Sequence, residues 1–549
     1  MKLFRSLGSL KLLRSGALLL IPSLTAAAGA AAVQPPPAPA ALPEAPARAV
    51  SPEDAVVLIR TSNSLRSTRG SGFLIGDGSW VVTASHVVSV DLGKGRRVSD
   101  QTALVYVPWT GRPYEARVMA LDGPADIALL KLPQSGFPAL PLEGLEVTDA
   151  NAALAALKDR PLRLFGFPLT YGEATVASLA RPEQNDSKIR EIAKRGDTSL
   201  SVLQSCPDAQ PGWSGGPIVS LDRNSVVAVF HSRYYPKANA EESYPAGSVT
   251  GHLAQVLRSA GITDFAPFVR PPASTLPRPK AAGELMAQEM RSLSWSAAGM
   301  WEKAEEEQRS IVAREPSDAL ARCELGRLLL VQKKYPEGLK ELQEAARLAP
   351  QSVTVNLYLG KAYHLNFKPK EAAAALQAAL RSSPDEVEPQ LALADLHEAN
   401  QQPAEAEAVL RAAREKAPLH PGLVFRLGQL VTAQGKKQEG LKLMEEAAEL
   451  ARADPAIVTI PLHYGRALED NKKYREAESL YRVLLKNDPG NPSIHFALTV
   501  LYYRTGRFED AQIQLNQGIR LPGLSEPMLQ SFRQLQELIN NRGGVGPPK

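Results

Sequence analysis

A set of prolines recurs at positions 316, 350, 384, 418, 455, 489 and 522, so the successive intervals are 34, 34, 34, 37, 34 and 33 residues. A fixed period of this length marks a stacked array of small helical units, none of which buries its apolar face alone. Small residues return in step with the prolines: Leu325-Gly326, Leu359-Gly360, Leu393-Ala394, Leu427-Gly428 and Tyr464-Gly465 on a first helix, and Gly338, Ala372, Ala406, Gly440, Ala477 and Ala511 on a second. Each is a place where two helices must approach closely, so these positions build scaffold rather than chemistry. Six units read clearly; a divergent first unit keeps only Ala304 and Pro316 in place, and Glu526 to Asn541 reads as a terminal capping helix.

The period and its small and large positions resemble the tetratricopeptide repeat over residues 282–523. The resemblance implies a concave groove, lined by first-helix residues, that takes extended or helical peptide segments of a protein partner. Asn356, Lys361, Arg426 and Arg466 face outward by period and are the candidates for that groove.

The first half of the chain has a different texture. Short apolar runs (Ala55 to Thr61, Gly72 to Ile75, Thr102 to Val107, Ala125 to Leu132, Leu162 to Phe167, Ser199 to Gln204, Ser225 to Phe230) alternate with Gly, Pro and Asp turns, which predicts antiparallel β-structure. The charged run Lys188 to Arg195 reads as a solvated surface loop, and Val87-Val88 after His86 as buried strand positions. Three motifs fall in one order within this region: Thr83-Ala84-Ser85-His86, Asp126-Ile127-Ala128-Leu129-Leu130 and Gly212-Trp213-Ser214-Gly215-Gly216-Pro217. Singly, each residue has an ordinary structural explanation: a core histidine, a strand-capping aspartate, a glycine turn. Together they supply a nucleophilic hydroxyl, an imidazole base and a carboxylate at the edge of an apolar run, the three groups that acyl transfer by serine requires.

These motifs resemble the trypsin-like (chymotrypsin-fold) serine peptidases over residues 51–266, and Gly70-Ser71-Gly72-Phe73-Leu74-Ile75 upstream brings the chain nearest the Deg/HtrA branch. The resemblance implies two six-stranded-type β-barrels, with His86 and Asp126 on the first and Ser214 on the second. It also implies an oxyanion hole from the backbone N–H groups of Gly212 and Ser214. Trp213 stands where digestive members carry the aspartate of their zymogen switch, so that switch is not expected here. Its indole either packs into the second barrel or leaves the site to be ordered by another element. Asp208, six residues before Ser214, and His231, after the strand Val226 to Phe230, are the candidates for the specificity pocket.

The fold class is therefore multidomain: an all-β trypsin-like double barrel followed by an all-α repeat solenoid. With 549 residues the chain exceeds one core. Residues 1–32 read as a signal peptide, with Lys2, Arg5, Lys11 and Arg14 before the apolar run Gly16 to Ile21 and small residues at Ala26 to Ala32. Removing those four basic residues takes the formal charge from +5 to +1, so net charge is no argument for nucleic acid. Residues 33–50 and 267–281 read as Pro-rich linkers without core-forming power, and 524–549 as cap and tail. Cys206 and Cys323, the two cysteines, lie in different domains and make no disulfide framework. The expectation is an exported, periplasmic or secreted serine endopeptidase needing no metal or cofactor, with polypeptide substrates and a protein partner in the repeat groove. The alternative is a repeat-based envelope scaffold whose protease-like domain is inert or latent.

Overall fold

The computed structural model describes residues 50–62, 67–92, 97–147, 155–157, 159–167, 183–187, 189–195, 199–204, 212–234, 244–452, 457–521, 524 and 526–543. Asp208 and Cys206 fall outside the described residues, as do residues 1–32, expected as a signal peptide, and most of the first Pro-rich stretch.

Eight strands precede residue 132: β1 (Val56–Ser62), β2 (Ser67–Ile75), β3 (Trp80–Thr83), β4 (Ser89–Asp91), β5 (Arg97–Ser99), β6 (Thr102–Val107), β7 (Arg112–Asp122) and β8 (Ile127–Lys131). Six close into a barrel in the order β1-β2-β3-β8-β7-β6, while β4 and β5 pair separately. The pleat of β6 shows why the sequence closes this way: Ala103, Val105 and Val107 alternate into the barrel core. Strands β9 (Leu162–Gly166), β10 (Glu183–Ser187), β11 (Ile189–Arg195), β12 (Ser199–Gln204), β13 (Pro217–Ser220), β14 (Ser225–Tyr234) and β15 (Tyr244–Val249) form a second antiparallel sheet, ordered β10-β9-β13-β14-β15-β12-β11.

Two local expectations are corrected. The charged run expected as a loop is the edge strand β11, paired with β12 from Ile189↔Gln204 to Arg195↔Ser199. Charged side chains are common on edge strands because they discourage further pairing, so charge alone did not mark a loop. Val87 and Val88 are buried as expected, but they belong to a single helical turn, Ser85–Val88, rather than a strand.

From Ala282 onward the chain is helical, in antiparallel pairs that begin with Ala282–Ala297 and Trp301–Arg314, including the divergent first unit, and end with the lone helix Glu526–Gly543. Within each of the seven pairs the turn places one residue in the left-handed region: Gly299 (φ +74°), Lys333 (+63°), Phe367 (+58°), Gln401 (+60°), Gly435 (+89°), Lys472 (+61°) and Gly506 (+76°). The small positions do what the period requires: a Cβ on Gly360 would come within 2.6 Å of Leu376 Cγ. Two groove candidates are structural instead. Asn356 is buried and its amide donates to Pro350 O and Ser352 O, both at 2.8 Å, tying down the start of its own helix. Arg426 is spent on ion pairs with Asp395 and Glu398. Lys361 lies over the Tyr358 ring, 5.3 Å from its centroid, and Arg466 is exposed.

The contacts divide the chain into two compact units with a boundary inside the array, between Ala392 and Leu393. In the first unit the barrel and the leading repeats share one core: Met286, Met290 and Leu293 pack in the same cluster as Val57, Ile59, Val105 and Ala116. Polar contacts extend this seam along the first helices of successive repeats. Arg60 pairs with Glu324 at 3.5 Å, and Glu324 also binds Arg327. Burial alone would raise the Glu324 pKa, but the charges of Arg327 and Arg60 outweigh it and hold the carboxyl at about 2. Glu115 of β7 accepts the N–H groups of Val353 (3.1 Å) and Thr354 (2.7 Å), so a barrel carboxylate caps a repeat helix and complements its dipole. The stretch expected as a second free linker is instead a strap on the barrel. Phe268 is buried in the core, and the N–H groups of Thr275 and Leu276 donate to Gly136 O. Proline content carried no sign of this packing.

Candidate active site

His86 sits in the single turn that follows β3, and Asp126 sits in the turn between β7 and β8. That turn is tied by Ala125 N–H to Asp122 Oδ1 at 2.9 Å and by Asp126 N–H to Gly123 O at 3.1 Å. Asp126 adopts φ +54°, a left-handed conformation that aspartate tolerates better than most residues. The two meet through His86 Nδ1 and Asp126 Oδ2 at 2.8 Å. The other carboxylate oxygen accepts the His86 backbone N–H at 3.0 Å and the Ser85 hydroxyl at 2.7 Å. The carboxylate side chain is 8% exposed and the imidazole 43%, so one end of the pair is shielded and the other open. Burial alone would push the Asp126 pKa up. The hydrogen bond and charge of His86, the charge of His231 and the Ser85 hydrogen bond reverse this and hold it at about 2. The carboxylate thus stays ionised and fixes the imidazole, the role required of the third member of a triad.

Ser214 lies just before β13, in a loop whose shape depends on glycine. Gly212 (φ +98°) and Gly215 (φ +91°) are both left-handed. A Cβ on Gly215 would stand 2.1 Å from Ser71 O and 2.2 Å from Thr83 Oγ1. Gly215 N–H donates to Phe230 O at 2.7 Å and Gly216 N–H to Trp213 O at 2.9 Å, which locks the turn onto β14. Neither Gly212 N–H nor Ser214 N–H donates to any described residue. The Ser214 hydroxyl donates to His231 O at 3.1 Å. His231 is therefore buried, its backbone beside the Ser214 hydroxyl, and its ring contributes to the field at Asp126.

Trp213 packs inward. It is 2% exposed, in a cluster with Leu162, Leu164, Ile218 and Phe230 of the second sheet. Gly166 makes the room, since a Cβ there would lie 2.7 Å from Trp213 Cγ. Its indole Nε1 has no hydrogen-bond partner among the described residues.

Ser71 was missed from sequence as a site residue. From β2 it reaches the Ser214 loop with two bonds, its N–H to Ser214 O (2.8 Å) and its hydroxyl to Gly212 O (2.8 Å), and the same hydroxyl accepts Phe167 N–H (2.8 Å) at the end of β9. The only signal was the Gly-Ser-Gly setting, in which flanking glycines admit close backbone approach: a Cβ on Gly70 would lie 3.0 Å from Ser214 O. Among the described residues no group of three or more His, Cys, Asp or Glu side chains could hold a metal ion.

Residues 70–229 match the family model of the trypsin-like peptidase domain. That segment, residues 70–229, is a trypsin-like peptidase domain. Its sequence is similar to HtrA and DegP-like serine proteases. Tetratricopeptide repeat models match 296–353, 323–387, 363–427 and 468–522, so repeats follow the peptidase domain. Among curated relatives, serine protease HTR4 of Rattus norvegicus is 27% identical over 163 residues, covering 30% of this chain and 29% of the relative. A probable periplasmic serine endoprotease, DegP-like, of Chlamydia pneumoniae is 28% identical over 163 residues, covering 29% of this chain and 28% of the relative. The chain therefore spans under a third of the length of these relatives. Among solved structures, the active form of the Rv3671c protease from M. tuberculosis aligns at 23% identity and a TM-score of 0.29, covering 39% of this chain and 83% of that one.

Proposed function

We propose that the chain is an exported serine endopeptidase that hydrolyses polypeptides through His86, Asp126 and Ser214. The observation that carries this reading is the doubly anchored pair of His86 and Asp126, with a carboxylate held ionised at about 2, in the same domain as the glycine-shaped Ser214 loop. In the reaction, Ser214 Oγ adds to a peptide carbonyl carbon while its proton passes to His86 Nε2. The N–H groups of Gly212 and Ser214, which have no acceptor among the described residues, receive the oxyanion. Collapse breaks the C–N bond, the amine leaves with the proton from His86, and an acyl-enzyme remains. Water then adds with His86 as base, releasing the new carboxyl terminus and restoring Ser214.

Export accords with the periplasmic location in the name of the Chlamydia pneumoniae relative. Among the described residues no helix is long and apolar enough to cross a membrane. The repeats are the proposed protein-binding element. Since the first helices of the leading repeats carry the barrel, recruitment is assigned to repeats beyond Leu393.

The test is labelling of the protein with a fluorophosphonate probe, beside Ser214→Ala and His86→Ala. Labelling that both substitutions abolish supports the reading; a folded parent that never reacts removes it. A latent enzyme is the second reading, favoured by the bond from Ser214 Oγ to His231 O, which the hydroxyl must leave to engage the imidazole. Labelling that requires added unfolded polypeptide would select it.

A further inference from the structure

The guanidinium of Arg69, on β2, donates from Nη2 to the carbonyl oxygen of Leu293 at 2.9 Å, across 224 residues of sequence. Leu293 lies in the last turns of the first repeat helix, Ala282–Ala297, whose carbonyls form the negative end of its dipole and favour a cation there. The same helix supplies Met286, Met290 and Leu293 to the barrel core, so it is fixed with respect to β2. Two residues beyond Arg69 the strand changes partner. Ser71 holds the nucleophile loop by its N–H on Ser214 O and its hydroxyl on Gly212 O. Gly70 between them has no lateral room, with Val87 Cγ2 at 2.4 Å from a would-be Cβ and Ser214 O at 3.0 Å. Arg69 to Ser71 is thus a strut about 7 Å long, at 3.3–3.6 Å of extended chain per residue, with a repeat helix at one end and the Ser214 turn at the other.

We propose that Arg69 is a positioning residue of the peptidase reaction, through which the first repeat helix sets the height of β2 and so the placement of Gly212 and Ser214. The leading repeats are then part of the active-site scaffold. An oxyanion hole tolerates little displacement, because its donors must lie about 2.7–3.1 Å from the developing charge. Shifting Ser71 moves the backbone that carries both donors. This inference rests on the peptidase reading for its kinetic consequence but not for its structural one.

The experiment uses the full chain, comparing the parent, Arg69→Ala, Arg69→Lys and Glu115→Ala. Glu115 belongs to the same barrel-to-repeat seam but caps the helix Val353–Leu365, far along the chain from the Ser214 loop. Thermal unfolding, fluorophosphonate acylation rate, kcat and KM on an unfolded polypeptide, and amide hydrogen exchange of residues 212–216 are measured for each. Arg69→Ala is expected to slow acylation and kcat at least about ten-fold with KM within about two-fold, the pattern of a lost transition-state interaction. It is also expected to speed exchange at Gly215 and Gly216 by a similar factor. Arg69→Lys should recover most of both, and Glu115→Ala should lower thermal stability without moving either. Parent-like exchange in Arg69→Ala overturns the inference, as does equal slowing by Glu115→Ala. If the folded parent never acylates while exchange responds as stated, the peptidase reading falls and the strut stands.

Discussion

The hydroxyl of Ser71 donates to the carbonyl of Gly212 at 2.8 Å and accepts the N–H of Phe167 at the same distance. One side chain of the first barrel therefore joins the Ser214 loop to the end of β9. Ser71→Ala leaves a buried carbonyl and a buried N–H without partners, at about 1–3 kcal/mol for each group left unsatisfied. The variant is expected to unfold at a lower urea midpoint with unchanged slope, and to acylate more slowly than its stability loss alone explains. Parent-like acylation in a destabilised Ser71→Ala would show that the Gly212 carbonyl holds its place without the hydroxyl.

Asp126 supports a sharper statement about pH. Its pKa is held at about 2, below the ordinary carboxylate value, so the stability it contributes is present above about pH 4 and lost as pH falls through about 2. Activity measured between pH 4 and 9 is therefore expected to show no ionisation belonging to Asp126. Asp126→Asn puts an amide where the carboxylate oxygens accept from Ser85 Oγ, His86 N–H and His86 Nδ1, and one of those donors then faces an NH2 group. The expected loss in kcat is about 10⁴-fold, with the fold retained by circular dichroism.

His86, Asp126 and Ser214 could be picked out as candidates in the sequence because each lies inside a short local pattern, and the structure pairs the first two. The repeats could be read because thirty-four-residue periodicity survives substitution everywhere except at small and large packing positions. What could not be read is long-range and chemically ordinary. Glu115 and Arg60 look like any surface charges on a strand, and only the fold brings them to Thr354 and Glu324. The inward turn of Trp213 depends on Gly166, forty-seven residues earlier, whose missing side chain carries no local signal. Outward periodicity misjudged Asn356 and Arg426 because a helix-start amide bond and an ion pair with the preceding repeat consume polar groups that spacing alone marks as solvent-facing.

Glu289 gives the seam between barrel and repeats a pH dependence of the opposite sign. It is buried on the helix Ala282–Ala297, and burial pushes its pKa to about 8, with Asp318 and Glu324 adding to the rise and the Gln308 amide and Arg60 opposing it. Its folded pKa lies above its unfolded one, so its contribution is fully present below about pH 4.5 and is lost as pH rises through about 8. Each unit of such a displacement corresponds to about 1.4 kcal/mol. Glu289→Gln is expected to unfold at the parent's urea midpoint or below it at pH 5, and to gain on the parent steadily up to pH 9. Glu386, also raised to about 8 by burial and the charge of Asp100, with the Thr102 hydroxyl bond opposing, should leave a residual slope that the double variant removes. Parallel pH profiles for parent and double variant would show that neither carboxyl is neutral in the folded chain.

Trp213 separates packing from hydrogen bonding next to the nucleophile. Its ring fills the second-sheet core, while its Nε1 has no partner among the described residues, so the indole gains from volume and loses from a stranded donor. Trp213→Ala removes the whole ring and is expected to cost about 3–5 kcal/mol. Trp213→Phe keeps most of the apolar volume and removes an N–H that has no partner among the described residues, whose burial costs about 1–3 kcal/mol, so gain and loss nearly cancel. The expected outcome is a Trp213→Phe stability within about 1.5 kcal/mol of the parent, with an acylation rate within a few-fold, because Gly215 and Gly216 keep their bonds to Phe230 O and Trp213 O through the backbone. A Trp213→Phe that falls as far as Trp213→Ala in urea unfolding would mean that the indole N–H has a partner in the folded protein. The ring would then be acting as a hydrogen-bonding strut for the Ser214 loop as well as filling the core.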